Sequence, residues 1–332
     1  MSSARRALVR LLPAAIAAAL LVYIFRVVPF GEVLRALHSA HWRGVVLGLG
    51  LLLAARIIAA RRMQLLTDKQ GLTLSLAELF EISTATTFYG LILPGTLSGG
   101  MVRWYKLARR GSAIGALASM TWDRLADAMT VAVVGVVCWA ISPVAGAHAA
   151  VGPALIAVCG ALMALYMAGF SRRAGEPLLR ALAHLGRRAP GAWARRKCEE
   201  LVSAARIYHA ADRSFSLRVA VLSLGTQLAG AVAFYAWAQA LGMGVGFGEL
   251  TWARACYTLV VLLPVTFAGL GAREGILILL LRPYGVTGAQ AVAVAFLQLG
   301  GTLVLAALGG LFELRSVWRA RQLEPRRRQQ QF

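Results

Sequence analysis

The 332 residues are 59% hydrophobic and 15% charged, with a formal net charge of +21 supplied mostly by arginine. That balance excludes an ordinary soluble domain and places the chain in a bilayer. No aromatic–basic module accompanies the charge, so the basic excess points to cytoplasmic loops facing anionic lipid rather than to nucleic acid.

The apolar stretch from Ala7 to Val28 follows Arg5 and Arg6 and is long enough to cross; it reads as an uncleaved anchor with a cytoplasmic N-terminus. Trp42 to Ala60 returns and is expected to end at Arg61-Arg62, with Lys69 just beyond. The next run, Leu74 to Leu93, is expected not to cross. If it did, Arg103, Lys106, Arg109 and Arg110 would lie outside, and the most basic loop of the chain would flip with them. A re-entrant hairpin broken at Pro94 to Gly100 resolves the conflict.

Leu117 to Ile141 then leads outward past Asp123, Arg124 and Asp127, and Val151 to Phe170 comes back. Ser171 to Arg218 holds eleven basic residues against four acidic ones, and its amphipathic pieces are expected on the inner leaflet. Leu217 to Leu241 leads outward. A second broken run follows, Leu250 to Leu263 and Ile276 to Leu281, and Thr287 to Phe312 crosses inward to an Arg-rich tail. The expected fold is an all-α integral membrane protein of six full transmembrane helices plus two re-entrant hairpins that enter from opposite sides, an inverted-topology repeat. One polytopic domain covers 1–320, with halves at about 42–170 and 217–314, a basic cytoplasmic loop at 171–216 and a tail at 321–332.

Two phrases organise this layout. Pro94-Gly95-Thr96-Leu97-Ser98-Gly99-Gly100-Met101-Val102-Arg103 is echoed 170 residues later by Pro264-Val265-Thr266-Phe267-Ala268-Gly269-Leu270-Gly271-Ala272-Arg273. Both share Pro, Thr, Gly and Arg at the first, third, sixth and tenth places. At membrane depth such a break is tolerated only inside protein or beside a wet cavity. Each break exposes a half-helix N-terminus, near Gly99 to Met101 and near Gly271, with positive partial charge and free N–H groups. Arg103 and Arg273 stand beside them, so the two ends together suit a phosphate. Glycines that only permit close packing, with Arg103 reaching the interface, are the plainer alternative.

Arg273-Glu274 places two charges inside an apolar run, where each costs about 2.5–3.5 kcal/mol on insertion scales. Neighbours on a helix point about 100° apart, so Glu274 is a candidate partner for Arg103 or Arg254 across the repeat, or for Arg273 itself as a structural pair. Asp123 and Asp127, one turn apart with Arg124 between them, either receive basic residues of the hairpin arm or act as a proton- or cation-linked pair. Glu78 and Glu81 fit helix capping. Cys138, Cys159, Cys198 and Cys256 are far apart and read as packing residues. His38 and His41 share a face without a third ligand, so neither a metal nor a cofactor is expected. No catalytic arrangement stands out, and Ser98 lacks a His base.

At Leu93-Pro94-Gly95-Thr96-Leu97-Ser98-Gly99-Gly100, Trp122-Asp123-Arg124 and Gly269-Leu270-Gly271-Ala272-Arg273-Glu274-Gly275 the chain resembles the lysylphosphatidylglycerol synthase transmembrane family, over nearly all of residues 7–320. The resemblance implies lipid handling at the inner membrane, in the best understood branch the movement of a lipid with an aminoacylated phosphate headgroup between leaflets. It matches Pro94, Gly99, Gly100, Arg103, Asp123, Arg124, Gly269, Gly271, Arg273 and Glu274. Met101 departs from the acidic residue that many members carry there. The aminoacyl-transfer domain of two-part members is absent from this sequence, so synthesis of the aminoacyl lipid is not expected.

The expectation is therefore a non-enzymatic lipid translocator of the cytoplasmic membrane with both termini inside. Its substrate-binding candidates are Arg103, Arg273, Glu274, Gly99, Gly100, Gly271, Thr96 and Thr266, supported by Pro94, Pro264, Gly269, Asp123, Arg124 and Asp127; its partner is an anionic or phosphate-bearing lipid. Two rival readings are a non-transporting partner that recruits a glycosyltransferase or lipid-modifying enzyme through 171–218, and a membrane-embedded transferase acting on a lipid-linked substrate.

Overall fold

The computed structural model describes residues 22–26, 28–92, 98–142, 151–170, 172–187, 192–262 and 269–329. Among them every regular element is helical. In order, these are α1 (Phe30–His38), α2 (Trp42–Lys69), α3 (Leu76–Ile92), α4 (Ser98–Ala108), α5 (Ala113–Ala140) and α6 (Val151–Phe170). Then come α7 (Arg172–Arg187), α8 (Ala192–His209), α9 (Arg213–Ala240), α10 (Phe247–Leu262), α11 (Ala272–Leu281) and α12 (Gly288–Gln329).

Length and composition suit four helices to crossing a bilayer: Trp42–Lys69, Val151–Ala168, Arg213–Ala240 and Gly288–Ser316. These match four of the six spans expected from sequence. The expected anchor at 7–28 falls almost wholly outside the described residues. Helix α5 has the same 28 residues as α2 and α9, about 42 Å at 1.5 Å per residue, but carries Asp123, Arg124 and Asp127 within that length.

One sequence expectation is corrected here. The helix beginning at Trp42 does not stop at Arg61-Arg62 but runs two further turns to Lys69. Its backbone continues because Met63, Leu66 and Thr67 have a packed place to go; Met63 and Leu66 are fully buried. Arg62 is thereby drawn into the protein, 3% exposed.

Helices α2 and α9 form the central pair and run antiparallel. The His41 N–H donates to the Ala240 carbonyl at 2.9 Å, Gly48 lies under the Trp237 indole, and further along Arg62 meets Ser223. At Gly48 a side chain would collide with the indole, so the glycine is what allows the approach. Around this pair the packing is self-similar. Helix α3 packs on α4 as α10 packs on α11, α4 on α5 as α11 on α12, and α2 on α3 as α9 on α10. Across the halves, α3 lies on α12 as α10 lies on α5. Exchanging α2–α5 with α9–α12 maps these contacts onto themselves.

Three clusters fill the interior. The largest gathers Phe234, Trp237, Trp252, Leu277, Leu280 and Val292 beside the second half, with Val33 of α1 docked on it. Leu66, Met129, Tyr208, Phe215 and Val219 make a second, and Met63, Leu72, Leu79, Leu107 and Ala116 a third. The basic segment contributes to the second cluster. The Tyr208 hydroxyl of α8 donates to the Leu66 carbonyl at 3.0 Å and meets Ser119 Oγ at 3.0 Å, while Gln70 donates to the Ala204 carbonyl at 2.8 Å. Burial pushes the Tyr208 phenol up to about 12, so it remains a neutral donor.

Candidate functional site

The interior of the helix assembly holds a connected ionic network drawn from five helices. Arg62 of α2 is its hub: Nε donates to Asp123 Oδ1 at 2.8 Å, and Nη1 donates to Asp127 Oδ1 and to Ser223 Oγ, both at 3.1 Å. Arg103 of α4 donates to the other Asp123 oxygen at 3.2 Å. Gln227 of α9 donates to Asp127 Oδ1 at 2.9 Å and accepts from Arg254 of α10 at 3.2 Å. Side-chain exposure is 3% for Arg62, 7% for Asp123 and 14% for Arg103, against 28% for Asp127, so the network opens on the Asp127 side.

Helical spacing builds it. Asp123 and Asp127 are four residues apart on α5, and Ser223 and Gln227 four apart on α9, so each pair presents two polar groups on one face. Close approach of α2 to α9 brings the two faces against Arg62. Buried guanidinium–carboxylate pairs are near neutral relative to an apolar core but cost about 3–5 kcal/mol when one partner is removed. The network therefore fixes how α2, α4, α5 and α9 sit together more than it adds net stability.

Two further cations border this core. Arg254 keeps its Nε buried without a hydrogen-bond partner, and its guanidinium lies over Gly230. Arg56, about two turns before Arg62 on α2, is partly buried and makes no hydrogen bond or ion pair with the described residues.

The second motif has a local solution. Glu274 is fully buried; its Oε1 accepts from Arg273 Nη2 at 2.7 Å and from Nε at 3.2 Å, and its Oε2 accepts from the Gly271 N–H at 2.7 Å. Gly269 and Gly271 both take positive φ, 74° and 81°, which L side chains resist. The expectation that Glu274 pairs with Arg103 or Arg254 is corrected: the flexible Arg273 side chain folds back despite the 100° offset. At the α11 N-terminus, expected to be open to an anion, the Gly271 N–H is taken by the Glu274 carboxylate. Nor does any described contact join Arg273 to Arg103. Arg103 pairs with Asp123 of α5, and Arg273 with Glu274 of its own helix.

The remaining candidates are placed as follows. Gly99 packs against the Thr86 carbonyl and Gly90, so its lack of a side chain lets α4 lie along α3. Gly100 has open space where a Cβ would be. Arg124 is exposed and outside the network. Pro94, Thr96, Pro264 and Thr266 lie outside the described residues. Glu78 caps α3 through the Ser75 N–H and hydroxyl, both at 2.9 Å, as its position implied. A further tie, Lys106 and Tyr89 to Glu313, joins α4 and α3 to α12.

Sequence reasoning missed Arg62, Ser223, Gln227 and Arg56. The signal was present in part: Ser223 and Gln227 are polar residues at i, i+4 in an otherwise apolar run, and Arg56 interrupts another. Arg62 gave no such signal, because an Arg pair closing an apolar run reads as an interfacial flank. No group of three metal-ligating side chains occurs among the described residues, and the four cysteines are free thiols.

A family model described as the lysylphosphatidylglycerol synthase TM region matches residues 10–310. Among curated proteins none matches the chain.

Proposed function

We propose lipid translocation as the function of this chain, which belongs to the lysylphosphatidylglycerol synthase transmembrane family and is a multi-pass membrane protein. The observation that carries the proposal is the ionic network of Arg62, Asp123, Asp127 and Arg103 in the first half, tied to Ser223 and Gln227 of the second and opening beside Asp127. Charged groups this deep in apolar helices are costly and mark substrate or ion pathways. A headgroup would enter on the Asp127 side while the acyl tails stay in the bilayer.

Our reading of the architecture is an inverted-topology repeat with α3–α4 and α10–α11 entering the membrane from opposite sides. It is supported by the antiparallel α2–α9 pair and by the exchange symmetry of the packing. Rocking of one half against the other would turn the network toward each leaflet. In this reading the protein resides in the cytoplasmic membrane with both termini inside, and it moves lipid without chemical turnover.

Reconstitution tests this. In vesicles carrying a fluorescent phospholipid, the purified protein should speed loss of the inner-leaflet signal to an impermeant quencher, and Arg62→Gln should slow it at least about tenfold. Movement no faster than in empty vesicles would reject the function.

A further inference from the structure

Two side-chain ties hold the helix assembly at opposite ends, and each crosses from one half to the other. At one end Glu313 of α12 accepts from Lys106 of α4 and, at 3.3 Å, from the Tyr89 hydroxyl of α3. At the other, Ser142 Oγ, just past α5, meets the Tyr284 hydroxyl, just past α11, at 2.9 Å. Helix directions place the two ties. Along α5, Ser119 meets Leu66 and then Asp127 meets Arg62, so α5 runs against α2 and finishes toward the Trp42 end. Helix α12 starts at that same end, where Gln290 donates to the Leu241 carbonyl next to the His41–Ala240 contact. It passes Leu52 at Gly301 and reaches Glu313 about 18 Å further on, toward the Lys69 end of α2. The ionic network lies between the ties, with Asp127 and Gln227 midway along their 28-residue helices.

Helix α4 couples one tie to the network. Arg103 is held by Asp123 of its own half, and Lys106, one turn on, by Glu313 of the other. The Lys106–Glu313 pair is largely shielded, 27% and 17% exposed, so water replaces it incompletely when it parts. Hydrogen bonds fail within a few tenths of an ångström beyond contact, so a rocking motion that separates the halves at one end breaks the tie there. Resting on the translocation reading, we infer that the two ties are the gates of the path: Lys106 and Tyr89 on Glu313 close it toward the Lys69 end, and Ser142 on Tyr284 closes it toward the Trp42 end. Each opens while the other holds, and the structure, with both made, is the closed form between the two openings. A tie stabilises only the forms in which it is made. Removing one therefore favours opening at its own end at the expense of the other end, whereas a tie that only braces the fold would loosen both ends alike.

The test uses the full-length chain freed of its native cysteines, with Gly100→Cys on α4 as reporter, sealed in vesicles of known orientation. An impermeant thiol reagent is applied to each face, and the ratio of the two labelling rates is read. Glu313→Gln should raise labelling from the Lys69 end relative to the Trp42 end at least about threefold, the scale on which a part-exposed ion pair shifts a balance. Tyr284→Phe should move the ratio the opposite way by about as much. Exchanging the charges, Lys106→Glu with Glu313→Lys, rebuilds the pair and should reverse most of the shift; Lys106→Gln serves if Glu313→Gln does not fold. An unchanged ratio in the single variants, a shift in the same direction for both, or rates that rise equally from both faces would overturn the gates. The two proposals fail separately: ratios that shift as expected without lipid movement in vesicles remove translocation alone, and lipid movement with unchanged ratios removes only the gates.

Discussion

Replacing Asp123 by Asn removes the charge that holds two guanidiniums while changing shape little. Asp123 accepts from Arg62 at 2.8 Å and from Arg103 at 3.2 Å, with 7% of its side chain exposed, so neither arginine gains water in exchange. Hydrogen bonds to charged groups contribute about 1.5–3 kcal/mol each, and breaking a buried pair costs about 3–5 kcal/mol. Arg62 keeps Asp127 as a second partner, which favours the lower part of that range, about 3 kcal/mol. At about 2 °C per kcal/mol for a large helical domain, the apparent Tm in detergent should fall by about 6 °C. The variant Arg103→Gln combined with Asp123→Asn should recover part of the loss, because it removes the stranded cation. Scanning fluorimetry of the three proteins decides the matter. An Asp123→Asn protein melting within about 1 °C of the unaltered chain, or a double variant that shows no recovery, would refute the reasoning.

Other expectations follow from the same geometry. Glu274→Ala removes both the Arg273 partner and the Gly271 cap, so it should cost about 3–5 kcal/mol, read as an earlier thermal transition, whereas Glu274→Gln should lose less because its amide oxygen still accepts. Gly309 lies against the Thr84 carbonyl and backbone with no room for a side chain; Gly309→Val should separate α3 from α12, costing about 1–3 kcal/mol or more, and should raise hydrogen exchange in both helices. Tyr208→Phe strips the nearer of two hydroxyl donors from the Leu66 carbonyl, Ser119 being the other, and should cost about 1 kcal/mol, with local exchange rising at the α8 contact rather than at Arg62. Glu200, whose carboxyl is held below the ordinary range chiefly by Lys197, has a stabilising contact that is present above that range and lost as pH falls through the lowered value; acid titration by NMR should report it as a local change near the middle of α8.

Apolar runs and glycines made much of the helix order legible, because burying a 20-residue apolar segment in lipid leaves a strong compositional trace. The pairing of Asp123 with Asp127 was legible too, since a spacing of four fixes a common face. The hub of the site was not. Arg62 sits where positive-inside logic expects an interfacial flank, and only tertiary packing of Met63, Leu66 and Thr67 shows that the helix continues and carries it inward. Glu274 was visible as a buried charge, and its pairing with Arg273 was one of the partners the sequence left open. A carboxylate three residues after the Gly271 cap prefers the free N–H groups of its own helix over a distant arginine, and the position of the break had to be known first. The repeated Pro/Gly/Arg phrase does not reveal that its two arginines are held differently, Arg103 by a carboxylate from another helix and Arg273 by one from its own.

The central claim is that the interior ionic site faces each leaflet in turn, and labelling at Gly100 tests it most directly. That position lies one turn before Arg103 and has open space for a side chain, so Gly100→Cys in a chain freed of Cys138, Cys159, Cys198 and Cys256 should fold. In sealed vesicles of known orientation, a membrane-impermeant thiol reagent should reach Cys at this position from both sides. The account predicts comparable labelling from either face. Labelling confined to one face under all conditions would contradict it.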